Sequence, residues 1–362
     1  MNVRDVRTTL VKLPLDRPVG SSIHRFTSVG AVLVTIGSQD GVLGESYVFT
    51  LDGERLRVLE EMIISLSHHV VGRDVDATEE VWSAIWRDIN FFGQSGISVF
   101  GLSAIDMALW DLRGKLAGKS VARLLGLRRT RVPAYASGGL YLSRTVDELG
   151  VEAQSLVAQG FGAVKVRVGG ASLDDDIARV QTVRDAVGPG VGLMIDANQG
   201  LSVDRALRLG RRLEGLNLVW FEEPVSVHDH DGAATIAAAL DTPIASGETE
   251  YTRNGFRRLI AAKGADILMP DLMRVGGVSE FVKVAHLAEC HGLPVSPHLF
   301  PEQSLQLLGA LSNASYFEHV PWFSALFLER LEMVDGFAIV PDRPGFGFTF
   351  DRASVERFRA AG

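Results

Sequence analysis

Hydrophobic and polar positions follow one rhythm in the first third of the chain and another after it. Three early stretches have the composition of strands: "VRTTLVKLPL", "GAVLVTIGS" and "GVLGESYVF". The last two are joined by Asp40-Gly41, a dipeptide that favours a tight hairpin turn. Apolar residues then recur with helical spacing near residues 54–71, 78–90 and 96–117. This pattern predicts an α+β domain over residues 1–128.

From residue 129 onward, short apolar stretches alternate with amphipathic helical segments, for example 173–187, 204–214 and 278–290. Strand alternating with helix indicates a parallel sheet, and eight strands at this spacing predict a closed (β/α)8-type barrel. An open doubly wound sheet is the alternative, but no Gly-x-Gly-x-x-Gly motif follows the first strand. The predicted strands are "VPAYAS", "AVKVRV", "GLMIDAN", "LVWFEEP", "PIASGE", "DILMPD", "LPVSPH" and "SYFEHV".

The domain organisation follows from these two rhythms. A length of 362 residues suits two domains or one barrel with an addition. We therefore expect an α/β protein with the barrel over residues 129–334. The last stretch, residues 335–362, contains the Pro/Gly-rich "GFAIVPDRPGFGFTFD", which indicates a return over the first domain.

Composition and charge narrow the class of protein. A net charge of −8 argues against a nucleic-acid partner, because such proteins usually carry a basic surface. No apolar run reaches the length of about 18 residues that spans a membrane, and the charged "MNVRDVRTTL" does not resemble a signal peptide. The single cysteine, Cys290, excludes a disulfide framework and predicts a cytoplasmic protein. Its helical spacing predicts that it is buried as a small apolar residue.

Polar residues stand at the carboxyl ends of the predicted barrel strands. In a parallel barrel these ends meet at one mouth, where active sites are built. Five of these residues, from Asp196 to His298, recur at intervals of 26, 26, 23 and 27 residues, which matches one strand–helix unit. Each alone suits a helix cap or a core position, but the shared period favours a common site. The set is Lys165, Arg167, Asp196, Asn198, Glu222, Glu248, Asp271, His298 and Glu318.

Three carboxylates of this set predict a metal site. Asp196, Glu222 and Glu248 come from adjacent strands and offer only oxygen, a donor set that selects Mg²⁺ or Mn²⁺ over zinc. Asp271 and His298 end neighbouring strands, and an Asp–His contact fixes the imidazole tautomer and raises its basicity. The site therefore combines a divalent cation with a candidate general base.

Lys165 and Arg167 lie two positions apart on one strand, so both face the metal site at the mouth. Removing a proton next to a carboxylate creates an enediolate dianion, which needs concentrated positive charge. A divalent cation and Lys165 supply that charge, and we expect a protonated Glu318 to donate a hydrogen bond to the developing oxyanion. With His298 as base, these residues predict proton abstraction α to a carboxylate.

With these motifs the sequence resembles the enolase superfamily and, within it, the mandelate racemase subgroup, over nearly the whole chain. The resemblance implies a capping domain over a modified TIM barrel of (β/α)7β type, a Mg²⁺ ion held by the three carboxylates, and an Asp271–His298 dyad. It also implies that Lys165 and Glu318 contact the substrate carboxylate, with further contacts from Asn198 and Ser137. The segments that carry it are "KVR", "DANQ", "FEEP", "SGE", "MPDLMRVGGVSE", "SPHLFPE" and "FEH". Relatives with a catalytic lysine at the sixth strand are excluded, because no lysine occurs between Lys263 and Lys283.

Arg167 departs from the pattern of mandelate racemase, where a lysine at this position acts as a second base. Arginine holds its proton, with a pKa above about 12, so His298 is left as the only competent base. One base suits β-elimination, in which His298 takes the α-proton and then protonates the departing hydroxyl. We therefore predict a Mg²⁺-dependent dehydratase, a hydro-lyase, of aldonates or aldarates. A racemase, epimerase or cycloisomerase of a 2-hydroxy acid or sugar lactone is the alternative, and a barrel that binds without turnover is the third possibility.

The resemblance also places a capping-domain loop, residues 17–30, over the mouth. Ser21, Ser22, His24 and Arg25 make this segment polar, which favours a polyhydroxylated acid, and His24 is a candidate substrate contact. We thus expect a small-molecule carboxylate as the partner. The resemblance further implies a homo-oligomer, between dimer and octamer.

Overall fold

The structure, a computed structural model, describes residues 1–170 and 172–360. The strands, in chain order, are β1 (Val3–Gly20), β2 (Arg25–Ser38), β3 (Leu43–Leu51), β4 (Arg131–Ala136), β5 (Ala163–Arg167), β6 (Gly192–Asp196), β7 (Trp220–Glu222), β8 (Ile244–Ser246), β9 (Ile267–Leu268), β10 (Phe317–His319), β11 (Met333–Val334) and β12 (Phe337–Ile339). The α-helices are α1 (Leu56–Leu66), α2 (Thr78–Asp88), α3 (Ile97–Ala117), α4 (Val121–Leu125), α5 (Val146–Ala158), α6 (Leu173–Val187), α7 (Val203–Leu213), α8 (His230–Ala239), α9 (Thr252–Ala262), α10 (Leu272–Val275), α11 (Gly277–Cys290), α12 (Pro301–Ala310) and α13 (Arg352–Arg357).

The first part of the chain is an antiparallel sheet in the order β1-β2-β3 with helices packed on it. The predicted hairpin turn joins β2 to β3, and Gly41 adopts a φ of 85°, which glycine tolerates at little cost. Gly44 on β3 has no side chain to separate the strand from α3, since a Cβ there would lie 2.2 Å from the Ala108 carbonyl oxygen. The predicted α+β layer is therefore present.

The second part is a closed parallel barrel, as predicted. Strands β4 to β9 pair in parallel in chain order, and β10 pairs in parallel with β4 to close the ring. The seventh predicted strand, "LPVSPH", is reduced to isolated bridges from Val295 to Leu268 and Ala314. Pro294 and Pro297 explain this irregularity, because proline cannot donate the hydrogen bonds of a continuous ladder.

The end of the chain first joins the barrel and then reaches the first strand. β12 pairs antiparallel with β4. Farther on, the Lys12 N–H donates to the Phe358 carbonyl at 2.8 Å, and the Ala360 N–H donates to the Leu10 carbonyl at 2.9 Å. The C-terminal segment thus ties the barrel to the sheet of the first domain.

Two local predictions were wrong. The segment 17–30 is a hairpin rather than a loop, because Val19 pairs with Phe26 and Gly20 pairs with Arg25, which leaves a short tip between them. Cys290 is exposed rather than buried, because it is the last residue of α11 and faces solvent there. No helix among the described residues is long and apolar enough to cross a membrane.

Candidate active site

Lys165 is the centre of a buried charge network at the barrel mouth. On β5, Val164 and Val166 pack into the core between barrel and helices, so the residues between and after them, Lys165 and Arg167, face the interior. The Lys165 Nζ donates to both carboxylate oxygens of Glu222, at 2.7 and 2.8 Å, and to Glu318 Oε1 at 3.0 Å. Only 1% of Lys165 is exposed, so its charge is fully committed to neighbouring carboxylates.

The predicted metal-binding carboxylates lie together. Asp196, Glu222 and Glu248 each place one oxygen within 4.8 Å of the others, at the ends of β6, β7 and β8. Burial and the negative charge of Asp196 raise the pKa of Glu222 to about 8, although Lys165 opposes that shift. The oxygen-only donor set of three clustered carboxylates fits a hard divalent cation.

Neighbouring donors hold two of these carboxylates in place. The Trp220 Nε1–H donates to Glu222 at 3.0 Å, and the Asn198 N–H donates to Asp196 at 2.7 Å. The Arg167 guanidinium contacts Asp196 directly. Burial raises the pKa of the Asp196 carboxyl, but the charges of Arg167 and Lys165 lower it by more, so Asp196 is an anion.

The predicted Asp271–His298 dyad is formed. His298 Nδ1 lies 2.7 Å from Asp271 Oδ2, and the fully buried Asp271 also accepts the Arg274 N–H at 2.9 Å. His298 Nε2 lies 3.5 Å from Glu248 Oε2, so it faces the carboxylate cluster. Burial lowers the pKa of His298, but Glu248 and Asp271 raise it by more, to about 9.

Glu318 does not have the protonation state expected from the sequence. Its Oε1 accepts from Lys165, and its Oε2 accepts the Leu299 N–H at 2.7 Å. Burial raises the pKa of the Glu318 carboxyl, but Lys165 and His298 lower it well below its usual range. Glu318 is therefore a carboxylate in this structure, because a cation from a distant part of the chain is its direct neighbour.

A cavity of about 300 Å³ lies between the barrel mouth and the first domain. Of the predicted residues, Arg167, Asn198, Glu248, His298 and His24 line it. Lys165 and the other predicted carboxylates are buried and do not line it.

Ser137 is also buried, and its Oγ lies 3.4 Å from Arg167 Nη2. The structure therefore places Ser137 behind Arg167 rather than on the cavity wall. A larger groove of about 1030 Å³ beside α5 contains none of the predicted site residues, so the smaller cavity is the candidate active site.

Sequence reasoning missed several residues that shape the site. Arg274 could have been found, because a donor three residues after the helix cap Asp271 is a recurrent arrangement. The aromatic residues Phe49 and Trp322 could not, because they come from different parts of the chain and meet only in the fold, with ring centroids 6.3 Å apart. Glu223, the second glutamate of "FEEP", points elsewhere and accepts from Gln199 at 3.0 Å.

A capped parallel barrel with an oxygen-only carboxylate cluster and a His–Asp pair at its mouth defines a class of metal-dependent enzymes. Residues 3–126 match the N-terminal domain of the mandelate racemase/muconate lactonizing enzyme family, and residues 148–354 match a domain described as enolase C-terminal domain-like. The chain therefore belongs to the mandelate racemase/muconate lactonizing enzyme family of the enolase superfamily, as the motifs predicted.

Named relatives include dehydratases and cycloisomerases. The chain is 36% identical to L-talarate/galactarate dehydratase of Salmonella typhimurium, over 95% of this chain and 88% of that one. It is also 36% identical to D-galactarolactone cycloisomerase of Agrobacterium fabrum, over 99% of both chains. A crystal structure of L-talarate dehydratase from a Polaromonas species, complexed with Mg and L-glucarate, superposes with a TM-score of 0.94 at 35% identity, covering 99% of this chain and 98% of that one.

Proposed function

We propose that this protein is a Mg²⁺-dependent acid-sugar dehydratase. The observation that carries the proposal is the asymmetry of the two sides of the carboxylate cluster. On one side His298 presents Nε2, with Asp271 holding its other nitrogen. On the other side stands Arg167, whose guanidinium contacts Asp196 and whose pKa is raised further by that charge even though burial lowers it. One proton acceptor and one permanent cation suit elimination better than exchange on both faces.

Asp196, Glu222 and Glu248 are the residues that would hold Mg²⁺, which supplies Lewis-acid stabilisation of negative charge on a carboxylate oxygen when bound. Lys165 adds a fixed positive charge beside them, held by Glu222 and Glu318. This arrangement concentrates positive charge where an enediolate would develop. The crystal structure of a related dehydratase with Mg and L-glucarate supports the same assignment.

His298 takes the α-proton at Nε2 and then returns a proton to the departing β-hydroxyl. Asp271 keeps the proton on Nδ1, so the nitrogen that faces the cluster is the one that can accept. Glu248 is the charge that most raises the pKa of His298, and it loses much of that influence once it ligates a cation. Arg167, Asn198 and His24, which line the cavity, are assigned to binding and orienting the substrate, and Ser137, behind Arg167, to positioning that guanidinium.

A cycloisomerase is the second candidate function. Its support is the 36% identity to D-galactarolactone cycloisomerase over 99% of both chains. Only the fate of the intermediate differs between the two proposals. The homo-oligomeric state and the cytoplasmic location remain predictions from the sequence.

The decisive experiment is an assay of the Mg²⁺-loaded enzyme against a library of aldonates, aldarates and sugar lactones. A dehydratase converts an open-chain acid to a 2-keto-3-deoxy acid with the loss of one water, whereas a cycloisomerase converts a cyclic substrate to an isomer of unchanged mass, so mass spectrometry of substrate and product separates the two. NMR in D₂O separates both from a racemase, which returns α-deuterated substrate of inverted configuration. If no compound reacts, the proposal is wrong and the barrel that binds without turnover becomes the better description.

A further inference from the structure

We infer that the substrate is a monocarboxylic sugar acid whose remote end is uncharged, rather than a dicarboxylic acid. This inference rests on the proposed function and narrows it to aldonates and their deoxy or ring-closed forms. The reacting carboxylate lies at the barrel mouth, so the remote end of the substrate must point toward the first domain. The inference follows from the residues that line the cavity on that side.

The cavity has no cation to spare for a second carboxylate. Among the described residues that line it, the permanent cations are Arg167 and Arg274, and both are already paired. Arg167 contacts Asp196, and Arg274 Nη1 lies 3.4 Å from Asp271 Oδ2. Lys165, below the cavity floor, is held by Glu222 and Glu318. A remote carboxylate would therefore lose its water without gaining an ionic partner, which disfavours its binding.

The hairpin of the first domain brings no permanent cation to the cavity. Phe26 lines the cavity, and Arg25 precedes it on β2, so the alternation of side chains along a strand directs Arg25 to the opposite face. His24, at the exposed tip, is the titratable group that this hairpin contributes to the lining. Ser21 adds a neutral hydroxyl. Apart from His24, recognition from this side is thus by neutral groups.

Aromatic side chains from several elements form much of the cavity lining. Phe26 meets Trp322 edge to face with ring centroids 5.4 Å apart, and Phe49 meets the same tryptophan at 6.3 Å. Phe100 also lines the cavity. Aromatic faces suit the C–H surface of a sugar chain or ring, or the methyl group of a deoxy sugar, and they give no stabilisation to a carboxylate.

Thr50 is a neutral residue in this part of the lining. This residue on β3 lines the cavity among those aromatic side chains. Its Oγ1 is buried, and no described residue offers it a hydrogen-bond partner. Thr50 therefore offers a remote carboxylate neither a charge nor an accessible donor.

The test is calorimetric binding to the Mg²⁺-loaded His298→Asn variant, in which turnover is blocked. Matched pairs that differ only at the remote carbon are compared: gluconate with glucarate, and galactonate with galactarate. We expect each productive monocarboxylate to bind at least about tenfold more tightly than its dicarboxylate, which corresponds to the loss of one ionic partner. Equal or tighter binding of the dicarboxylates would overturn the inference.

A substitution at Thr50 provides the matched control. Thr50→Lys places an unpaired ammonium on the neutral wall and should raise dicarboxylate affinity at least about fivefold relative to the monocarboxylate. Thr50→Gln, of similar length but neutral, should not. If Thr50→Lys melts well below the wild type, the pairs on the unsubstituted wall still decide the question. Because these are binding measurements, a wild type that turns over no acid sugar would defeat the proposed function without deciding the ratio.

Discussion

Two histidine–carboxylate pairs in this molecule have the same contact distance and different surroundings. His298 lies 2.7 Å from Asp271, and His230 lies 2.7 Å from Glu250. His298 lines the cavity, and its second nitrogen faces Glu248 of the carboxylate cluster. His230 is the first residue of α8, and neither it nor Glu250 lines the cavity. The contact distance therefore does not distinguish the two pairs, whereas the surroundings of the second ring nitrogen do.

The carboxylates of the two pairs differ as well. Asp271 is fully buried and caps α10, so its oxygens are also fixed by the Arg274 N–H. Among the described residues, Glu250 has besides His230 one distant partner, Arg258, at 3.9 Å. A carboxylate held by several donors keeps the imidazole in one orientation, which is what a general base requires. Four experiments test this contrast, in order of decreasing expected effect.

The largest effect is expected for His298→Asn. Removing the base should lower kcat by about 10²–10⁴-fold or more, because general base catalysis typically supplies that factor. Steady-state kinetics on the acid sugar found in the screen measures it. Mg²⁺ affinity should stay close to that of the wild type, since His298 is not in the carboxylate cluster. A variant that keeps its activity would remove the distinction between the two pairs.

The next effect is expected for Glu222→Gln. Loss of one of three oxygen anions should weaken Mg²⁺ binding by about 10–100-fold, as measured by calorimetric titration. Glu223→Gln is the matched control, because this neighbouring carboxylate lies outside the cluster and contacts Gln199 instead. Unchanged Mg²⁺ affinity in Glu222→Gln, or an equal loss in both variants, would contradict the assignment of the cluster.

A third histidine shows what happens without a carboxylate partner. Burial lowers the pKa of His319 to about 4, although Glu318 opposes this shift. A histidine pKa depressed in the folded state contributes stability above its unfolded pKa and loses it as the pH falls toward the folded pKa. His319→Phe should therefore remove about 2 kcal/mol of the stability that the wild type loses between pH 7 and pH 5.

Chemical denaturation of both proteins at the two pH values measures this difference. Since His319 packs against Phe161 with ring centroids 5.0 Å apart, an aromatic replacement preserves the packing. Parallel pH profiles of the wild type and the variant would show that His319 does not titrate as described. His298→Asn provides the contrast, because the pKa of His298 is raised rather than lowered.

The smallest effect is expected for His230→Asn. The variant loses a half-exposed contact, so its free energy of unfolding should fall by only about 0.5–1.5 kcal/mol. Turnover and Mg²⁺ affinity should match the wild type, because neither His230 nor Glu250 belongs to the cavity or the cluster. A large loss of kcat would show that the second pair is coupled to the reaction.

The sequence predicted a large part of the fold and of the site, for a local reason. Strand alternation places Lys165 and Arg167 on one face, and the strand–helix period places Asp196, Glu222 and Glu248 at successive strand ends. These relationships depend only on the geometry of the backbone. They can be predicted without knowing which residues from distant parts of the chain are in contact.

The predictions that failed depend instead on contacts between residues that are far apart in the sequence. Glu318 was expected to be protonated, and its carboxylate form depends on the distance to Lys165, which is 153 positions away in sequence. The hairpin at residues 17–30 looked like a loop because its polar residues are consistent with either structure, and only the pairing with β2 decides. The second pair, His230 with Glu250, was not predicted from the sequence, because its partners meet only in the fold.

The sequence by itself determined the barrel, its capping sheet and the strand ends that carry the acids. It also determined that the second position of the Lys165–Arg167 pair is a permanent cation rather than a base. What only the tertiary structure decided is the charge state of those acids, the pairing of each cation and the aromatic wall that Phe49 and Trp322 build together. The physical reason is the separation along the chain of the residues that determine each property. Periodicity is set by neighbouring backbone dihedrals, whereas pKa values and cavity walls are set by distances between side chains that the chain brings together only when it folds.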